Sequence, residues 1–430
     1  MSSVYVHGLG YVGLPTAAML ANYGHSVVGY DVDEDLVEEL QEGRITVDEP
    51  GLRAFVTEAL NSGNLQVTDE VRPAKYHIIT VPTPFDHETK TADLSYIETA
   101  GKTIQQHLRP GDSVILESTV PPGTTVQTLQ PVLEQSGLIA GEDFALIHCP
   151  ETVLPGNIIS ELRENDRIIG GVNGVSTEAA VKLYDSFVEG DIHTTTDATT
   201  AEFVKLIQNT YRDTNIALAN ELARIAHSYD IDPREAIQLA NEHPRVELHQ
   251  PGPGVGGHCL PIDPWFLGHN SDELNLIATA RSVNDSMTDY VVELIESNLG
   301  GLAGKQVAVL GVAYKGNVDD VRNSPGLAIA RQLQDTAAEV PASVSPDGAD
   351  PPVTVRLNDP HVEDQTLDLQ PLDDVTQGVD GVVITTDHDA YTEIDPSRLA
   401  ARMTGNLVVD TKAIVDQHAW KQAGLDVIQI

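Results

Sequence analysis

Apolar residues in this chain come in short runs, and the runs follow two different periods. Residues 3–6 form a brief β-prone run, followed by Gly8, Gly10 and Gly13 in GLGYVG. The next segment, LPTAAMLANYG, sets Leu14, Ala17, Ala18 and Leu20 at helical spacing, with Gly24 as its stop. Residues 26–30 read as a second strand with Asp31 at its end, and runs at 76–81, 112–117, 144–148 and 167–170 continue the alternation. From about Thr199 the period changes. Phe203, Leu206, Ile207, Ile216 and Leu222 lie along an apolar stripe of a helix over 203–226, followed by helical stretches at 233–241 and 274–299. Near Gly304 the alternation resumes, with strands at 306–310, 353–358, 381–385 and 406–410 and a helix at 326–333. Residues 335–352, rich in Ala, Pro, Asp and Ser, read as an exposed insertion. Strands alternating with helices predict an α/β protein with parallel sheets. The expected architecture is two Rossmann-like domains joined by a central helical domain with a long spine helix, divided as 1–195, 196–300 and 301–430.

Charge narrows the setting. Sixty-five acidic residues face 25 basic ones, a formal net charge of -40 spread along the chain. Such self-repulsion costs stability in ordinary buffers. The Debye length shrinks to about 3 Å at molar salt, so a halophilic host with high internal salt is expected. No basic patch is available to neutralise phosphates, which excludes a nucleic-acid partner. No apolar run is long enough to cross a bilayer, and no signal-peptide pattern opens the chain, so no membrane partner and a cytoplasmic location are expected. Cys149 and Cys259 are the two cysteines, and reduced thiols are the default.

The first turn carries candidate chemistry. Gly8, Gly10 and Gly13, with Tyr11 and Val12 between them, would let a pyrophosphate approach a helix amino terminus. Asp31 would accept hydrogen bonds from a ribose and would repel an added phosphate, which favours NAD over NADP. Polar residues recur beyond the carboxyl ends of strands, where an open parallel sheet keeps its site: Thr83, Thr119 and Glu151. Each alone also fits an ordinary turn. Residues 252–264 read GPGVGGHCLPIDP. Gly256 and Gly257 leave room beside Cys259, although a structural turn with a core cysteine fits the same composition. Lys205, Asn209 and Arg212 share roughly one helix face. Lys315 and Arg322 are candidates to meet phosphates or to form an interface ion pair. Asp387 and His388 read as a surface turn without a role. His258 and Cys259 have no nearby second Cys/His pair, so no metal site is expected. NAD together with a cysteine on a glycine-rich loop suggests two successive hydride removals, with the thiol holding an aldehyde between them.

The chain resembles the UDP-glucose/GDP-mannose dehydrogenase family, the nucleotide-sugar 6-dehydrogenases. The resemblance rests on GLGYVGLP, ESTVPPGT, the helix around Lys205 and Asn209, GGHCLPIDP and GVAYKGNVDDVRNSP. It implies an NAD-binding lobe, a central helical domain that forms a homodimer, and a carboxyl-terminal lobe that binds the UDP-sugar, in service of polysaccharide biosynthesis. It implies Cys259 as nucleophile, Lys205 and Asn209 as stabilisers of oxyanions, and Asp263 as the carboxylate tied to the lysine and water. Glu151 would assist thioester hydrolysis and Thr119 would position water. Lys315 and Arg322 would lie near the substrate and the nicotinamide. The division of the base role among Lys205, Asp263 and water stays open.

CPETVLPG, NTYRDTNIALANE, HPRVELHQPGPGVGGHC and DPWFL are most similar to the branch acting on UDP-N-acetyl-D-mannosamine. In that branch Arg212, Arg245 and the backbone at Gly256 would hold the nucleotide sugar. Thr152 and Lys412 depart from the branch, which has arginine at both places, and a lysine lacks the planar guanidinium fork. UDP-N-acetylglucosamine and UDP-glucose are the alternative substrates. A non-catalytic NAD-binding paralogue, or an alcohol dehydrogenase that stops at the aldehyde, is the alternative of another class. The intact set Lys205, Asn209, Cys259 and Asp263 argues against both.

Overall fold

Val4 to His7 are buried on both faces of the strand β1 (Ser3–His7), as the interior of a parallel sheet covered by helices requires. The computed structural model describes residues 2–45, 47, 49–153, 155–338 and 352–430. The chain divides into two compact units. One comprises Met1–Gln208 with Trp265–Glu273, the other Asn209–Pro264 with Leu274–Ile430.

In the first unit β1 is followed by β2 (Ser26–Tyr30), β3 (Leu65–Thr68), β4 (Tyr76–Ile79), a small hairpin of β5 (Phe85–Asp86) and β6 (Thr91–Ala92), then β7 (Ser113–Leu116), β8 (Ala145–His148), β9 (Arg167–Gly171) and β10 (Ile192–Thr194). The main sheet has the order β10-β9-β8-β7-β4-β1-β2-β3. Its pairs are parallel except β8 with β9. Because β1 lies between β2 and β4, the chain reverses winding there, and a crevice opens beyond the carboxyl ends of β1 and β4. The helix Gly13–Asn22 is buried from Gly13 to Ala21, and its small side chains allow that close approach.

In the second unit β11 (Gln306–Leu310), β12 (Thr354–Asn358), β13 (Gly381–Ile384), β14 (Leu407–Asp410) and β15 (Asp426–Gln429) form an all-parallel sheet in the order β12-β11-β13-β14-β15. Alternate residues of β11 feed separate cores. Val307 and Val309 pack with Met287, Val291 and Leu333, while Ala308 and Leu310 pack with Tyr391, Leu399 and Trp420. Two α/β units, each built on its own largely parallel sheet, with a long helix between them in sequence, are the expected fold class. The helix Pro325–Ala338 takes in the start of the expected insertion at 335–352, and residues 339–351 of that stretch lie outside the described residues.

The spine helix Ala198–His227 has 30 residues and is about 45 Å long at 1.5 Å per residue. Its faces differ from the expected apolar stripe. Phe203 and Ile207 are exposed, at 44% and 43%, while Lys205, Asn209, Asp213 and Asn220 are buried beside Leu206, Ala217 and Ala223. The buried polar groups have partners. Arg281 Nη1 donates to Asp213 Oδ1 at 2.5 Å, Asn284 Nδ2 donates to the same oxygen at 2.8 Å, and Asn220 Nδ2 donates to Asn284 Oδ1 at 2.9 Å. A buried polar network is tolerated when its members are satisfied; here Asp213 Oδ1 is doubly paired while Asp213 Oδ2 has no hydrogen-bond partner among the described residues. The outer face carries Phe203, Ile207, Tyr211, Leu218 and Ile225, all exposed. Among the described residues no helix is long and apolar enough to cross a membrane.

Candidate active site

The GLGYVG turn has the shape its glycines suggest. Gly8 has φ +94°, and a Cβ on Gly13 would stand 1.8 Å from Gly8 O and 2.5 Å from Thr80 Oγ1. Thr80 Oγ1 donates to Gly8 O at 2.8 Å and thereby ties the loops after β1 and β4 together. A Cβ on Gly10 would meet no atom within 4 Å, so that position leaves the backbone open to a ligand. Asp31 Oδ2 accepts from Leu9 N at 2.7 Å, which fixes the carboxylate at the end of β2, half-buried and facing the turn. These residues fit a dinucleotide. Tyr11 and Val12 are half-buried, and the Tyr11 hydroxyl donates to Glu49, whose carboxylate also accepts from Gly156 N.

The loops after β4 and β7 are joined next. Thr83 Oγ1 donates to Thr119 O at 2.8 Å, and Ser118 Oγ donates to Val81 O at 2.7 Å. The Glu202 carboxylate, one turn into the spine helix, accepts from Gly123 N, Thr125 N and Thr125 Oγ1 at 2.5, 2.7 and 2.6 Å. It anchors the loop that begins at Thr119, and burial pushes its carboxyl up to about 7 against those hydrogen bonds. Nothing in the sequence singles out Glu202, because an acid near a helix start usually faces solvent. Lys205, one turn further, is buried with Nζ 4.0 Å from Glu151 Oε2. Burial raises the Glu151 carboxyl, and the Lys205 and Arg167 cations oppose that rise. Thr152 faces the buried Arg167, whose Nη1 lies 3.5 Å from Thr152 Oγ1.

In the second unit the cysteine loop is held from two sides. Gly252 N donates to Asn220 Oδ1 at 2.8 Å, which seats the loop on the spine helix. Gly257 N donates to Arg322 O at 2.8 Å, and Asn323 Nδ2 donates to Gly257 O at 2.9 Å. A Cβ on Gly256 would lie 2.7 Å from both Asn323 O and Tyr314 Cβ. Gly257, at φ +82°, lies under the Tyr314 ring. Side chains at 256 and 257 are therefore excluded by packing. Cys259 is exposed, whereas Cys149 is buried, with its thiol pushed up to about 12 by burial against the pull of Arg167. Cys259 O accepts from Asp263 N at 2.9 Å, and Asp263 opens the short helix Asp263–Leu267. Asn209 Nδ2 donates to Asp263 Oδ2 at 2.6 Å. Arg322 is held above its ordinary value chiefly by its hydrogen bond to Asp320, with the Cys259 thiol among the negative groups in its field.

Arg212, Arg245 and Lys315 are exposed. Arg245 lines an open groove with Tyr211, Asn215 and Glu247. Lys412 Nζ lies 3.5 Å from Asp387 Oδ1. His388 is fully buried rather than part of a surface turn, because a carboxylate from elsewhere in the fold, Asp359, accepts from its Nε2 at 3.0 Å. Among the described residues one group of three metal-type ligands, Asp166, Asp191 and His193, comes together, all exposed.

A dinucleotide cradle on a doubly wound sheet, with a second α/β unit carrying an exposed thiol, defines an NAD-dependent sugar dehydrogenase once the family is known. The chain belongs to the UDP-glucose/GDP-mannose dehydrogenase family. Residues 2–188 match its NAD binding domain, 199–286 its central domain and 308–417 its UDP binding domain. A UDP-N-acetyl-D-mannosamine dehydrogenase of Methanococcus maripaludis is 42% identical, covering 99% of this chain and 96% of its own length. One from Campylobacter jejuni is 40% identical, covering 93% and 98%. The solved structure of the UDP-D-ManNAc dehydrogenase from Pyrococcus horikoshii superposes with a TM-score of 0.90 at 40% identity, covering 100% of this chain and 99% of that one. The cofactor is NAD, and the substrate class is UDP-sugars.

Proposed function

We infer that the protein oxidises UDP-N-acetyl-D-mannosamine at C6 to UDP-N-acetyl-D-mannosaminuronate, reducing two NAD for each sugar. The observation that carries this reading is the exposed Cys259 on a loop whose following turn delivers Asp263 to Asn209. The full-length relatives bearing that substrate's name support the choice of sugar.

Gly8, Gly10, Tyr11, Val12, Gly13 and Asp31 would hold the dinucleotide, with Thr83, Thr119 and Arg322 toward its nicotinamide end. When bound there, NAD would supply the hydride acceptor for both oxidations. The C6 hydroxyl loses its proton to Lys205, directly or through water held by Asp263, as hydride leaves C6. The Cys259 sulfur bonds to the aldehyde carbon, and a proton reaches the oxygen, giving a thiohemiacetal. Loss of that proton and a second hydride leaves a thioester. Water, positioned by Thr119 and assisted by Glu151, adds to the carbonyl, the C–S bond breaks, and the sulfur recovers a proton as the carboxylate departs. Lys205 and Asn209 would stabilise the oxyanions at each stage. Arg212, Arg245, Lys315 and the backbone at Gly256 would hold the nucleotide sugar. The segments 1–195, 196–300 and 301–430 then serve NAD, dimer formation and the UDP-sugar respectively. The apolar outer stripe of the spine helix supports a homodimer, and the charge of -40 supports a salt-rich cytoplasm.

The test is the ratio of NADH formed to UDP-N-acetylmannosamine consumed at high salt, with UDP-N-acetylglucosamine and UDP-glucose in parallel. Two NADH per sugar is expected. One, with aldehyde released, removes the thioester route. Faster turnover of another sugar reassigns the substrate, and no turnover of any sugar makes the chain a non-catalytic paralogue.

A further inference from the structure

The two α/β units share a hydrogen-bond skeleton at their first turns, and the difference between them exposes a role for His388. In the first unit, Thr80 Oγ1 donates to Gly8 O at 2.8 Å and Asp31 Oδ2 accepts from Leu9 N at 2.7 Å. In the second, Thr385 Oγ1 donates to Gly311 O at 2.5 Å, and Asp359 Oδ2 accepts from Val312 N and Ala313 N at 2.7 and 2.9 Å. Gly13 and Gly326 fill the same place, since a Cβ on either would strike the carbonyl of Gly8 or Gly311. The loop is longer in the second unit, running from Gly311 to Gly326 rather than from Gly8 to Gly13. Asp31 stays half-exposed beside its turn. Asp359 is enclosed, and its Oδ1 accepts from His361 N and Val362 N. Burial raises the Asp359 carboxyl, but the bonds from His388 and the backbone amides outweigh it and bring the value down to about 2. The carboxylate at Nε2 takes the imidazole proton there, and a backbone amide pointing at Nδ1 needs a lone pair on that nitrogen, so the contacts on its two sides select the Nε2-H tautomer. Nδ1 takes the amide of Asn317 at 2.9 Å.

That amide lies in the lengthened loop, two residues past Lys315. Asn317 has φ +59°, and its Oδ1 accepts from Asp389 N at 3.1 Å. On the other side of Lys315, Thr386 Oγ1 donates to Ala313 O at 2.7 Å. Gly316 lies so close to the chain after β13 that a Cβ there would be 2.4 Å from Asp387 O. Lys315, exposed, is thus carried on a short arch clamped at both feet.

We propose that Asp359 and His388 form a positioning couple: the carboxylate sets the imidazole tautomer, and the imidazole holds the Asn317 amide so that Lys315 meets the diphosphate of the UDP-sugar. The proposal rests on the reading of Lys315 as a nucleotide-sugar contact, and it makes the couple part of UDP recognition rather than of NAD binding.

Two substitutions separate the halves of the imidazole. His388→Asn keeps an acceptor near the Nδ1 position, and His388→Gln keeps a donor near Nε2. Titration calorimetry with UDP at high salt, and NAD binding followed by fluorescence, are the readouts. H388Q is expected to weaken UDP at least tenfold, H388N less than threefold, and neither to change NAD binding. Equal effects of the two on UDP would reduce His388 to a packing residue and overturn the proposal. If the buried substitutions prevent folding, Gly316→Ala presses the arch off Asp387, the neighbour of His388, while leaving both side chains of the couple in place, and is expected to weaken UDP at least tenfold. Unchanged UDP affinity in G316A overturns the proposal in that case. Lys315→Gln distinguishes the underlying reading. If K315Q binds UDP as wild type does, the lysine contact itself is wrong and the couple's role falls with it. If K315Q weakens UDP and H388Q does not, only the couple is wrong.

Discussion

The Asn209 amide Nδ2 donates to Asp263 Oδ2 at 2.6 Å, which fastens the spine helix to the turn that begins at the Cys259 carbonyl. Both residues are buried, so the bond is shielded from water. Asn209→Ala removes the donor and is expected to lower kcat about 10²-fold, the scale of a lost oxyanion donor. NAD affinity should stay at the wild-type value. Steady-state kinetics with a separate NAD titration check this, and an unaltered kcat would remove Asn209 from the chemistry.

The two thiols differ in access. Cys259 is exposed and Cys149 is enclosed with its thiolate disfavoured. Iodoacetamide should therefore label one cysteine per folded chain and two after denaturation, as read by mass spectrometry. Labelling should abolish uronate formation and spare NAD binding. Cys259→Ser should lose uronate production in the same way.

Three buried histidines predict acid lability. His7 Nε2 and His77 Nδ1 are 3.1 Å apart beneath the dinucleotide turn, and both nitrogens of His148 have no hydrogen-bond partner among the described residues. Burial brings His77 and His148 down to about 3, and burial, then His77, carries His7 well below its ordinary value. A depressed histidine is neutral in the fold and charged in the unfolded chain below about pH 6.5. Its contribution is thus complete above that pH and declines as pH falls toward 3. At pH 4.5 the loss is about 3 kcal/mol for each of His77 and His148. Thermal unfolding followed from pH 7.5 to 4.5 at fixed high salt should show Tm falling with proton uptake. His148→Leu should flatten the slope.

With a net charge of -40, Tm should climb steadily between 0.1 and 2 M KCl, because the screening length contracts from about 10 Å at 0.1 M to about 3 Å at 1 M. A scanning-calorimetry series that is flat in salt would count against adaptation to a salt-rich cell.

The outer stripe of the spine helix predicts assembly. Ile207→Glu combined with Leu218→Glu should convert a dimer to a monomer in light scattering, since buried carboxylates without partners oppose association. A mass unaffected by both changes would place the subunit contact elsewhere.

The dinucleotide turn was legible because its determinants are local: glycine at 8 and 13, an acid at 31, and a strand on either side. The spine helix was legible as a helix but not in its orientation. Phe203 and Ile207 repeat at the same period as Lys205 and Asn209, and only distant partners such as Asp263, Arg281 and Asn284 reveal which set is buried. His388 went unassigned for the same reason, since the carboxylate that admits it to the interior is Asp359. Leu65–Thr68 and Asp426–Gln429, edge strands of the two sheets, were passed over because one-sided pairing leaves too short an apolar pattern. The proposed substrate roles of Arg212, Arg245 and Lys315 come from the resemblance to the family, not from any pattern of burial.

Trp265–Glu273 packs with the amino-terminal unit although the chain on either side of it belongs to the other. Phe266 is 2% exposed with its ring 6.1 Å from Phe85, and Lys90 Nζ sits 3.8 Å over the Trp265 ring. Splitting the gene at the middle of the spine helix would therefore yield a sticky amino-terminal fragment with bare aromatic surface. A well-behaved half-protein would need Trp265–Glu273 grafted back, or supplied as a peptide.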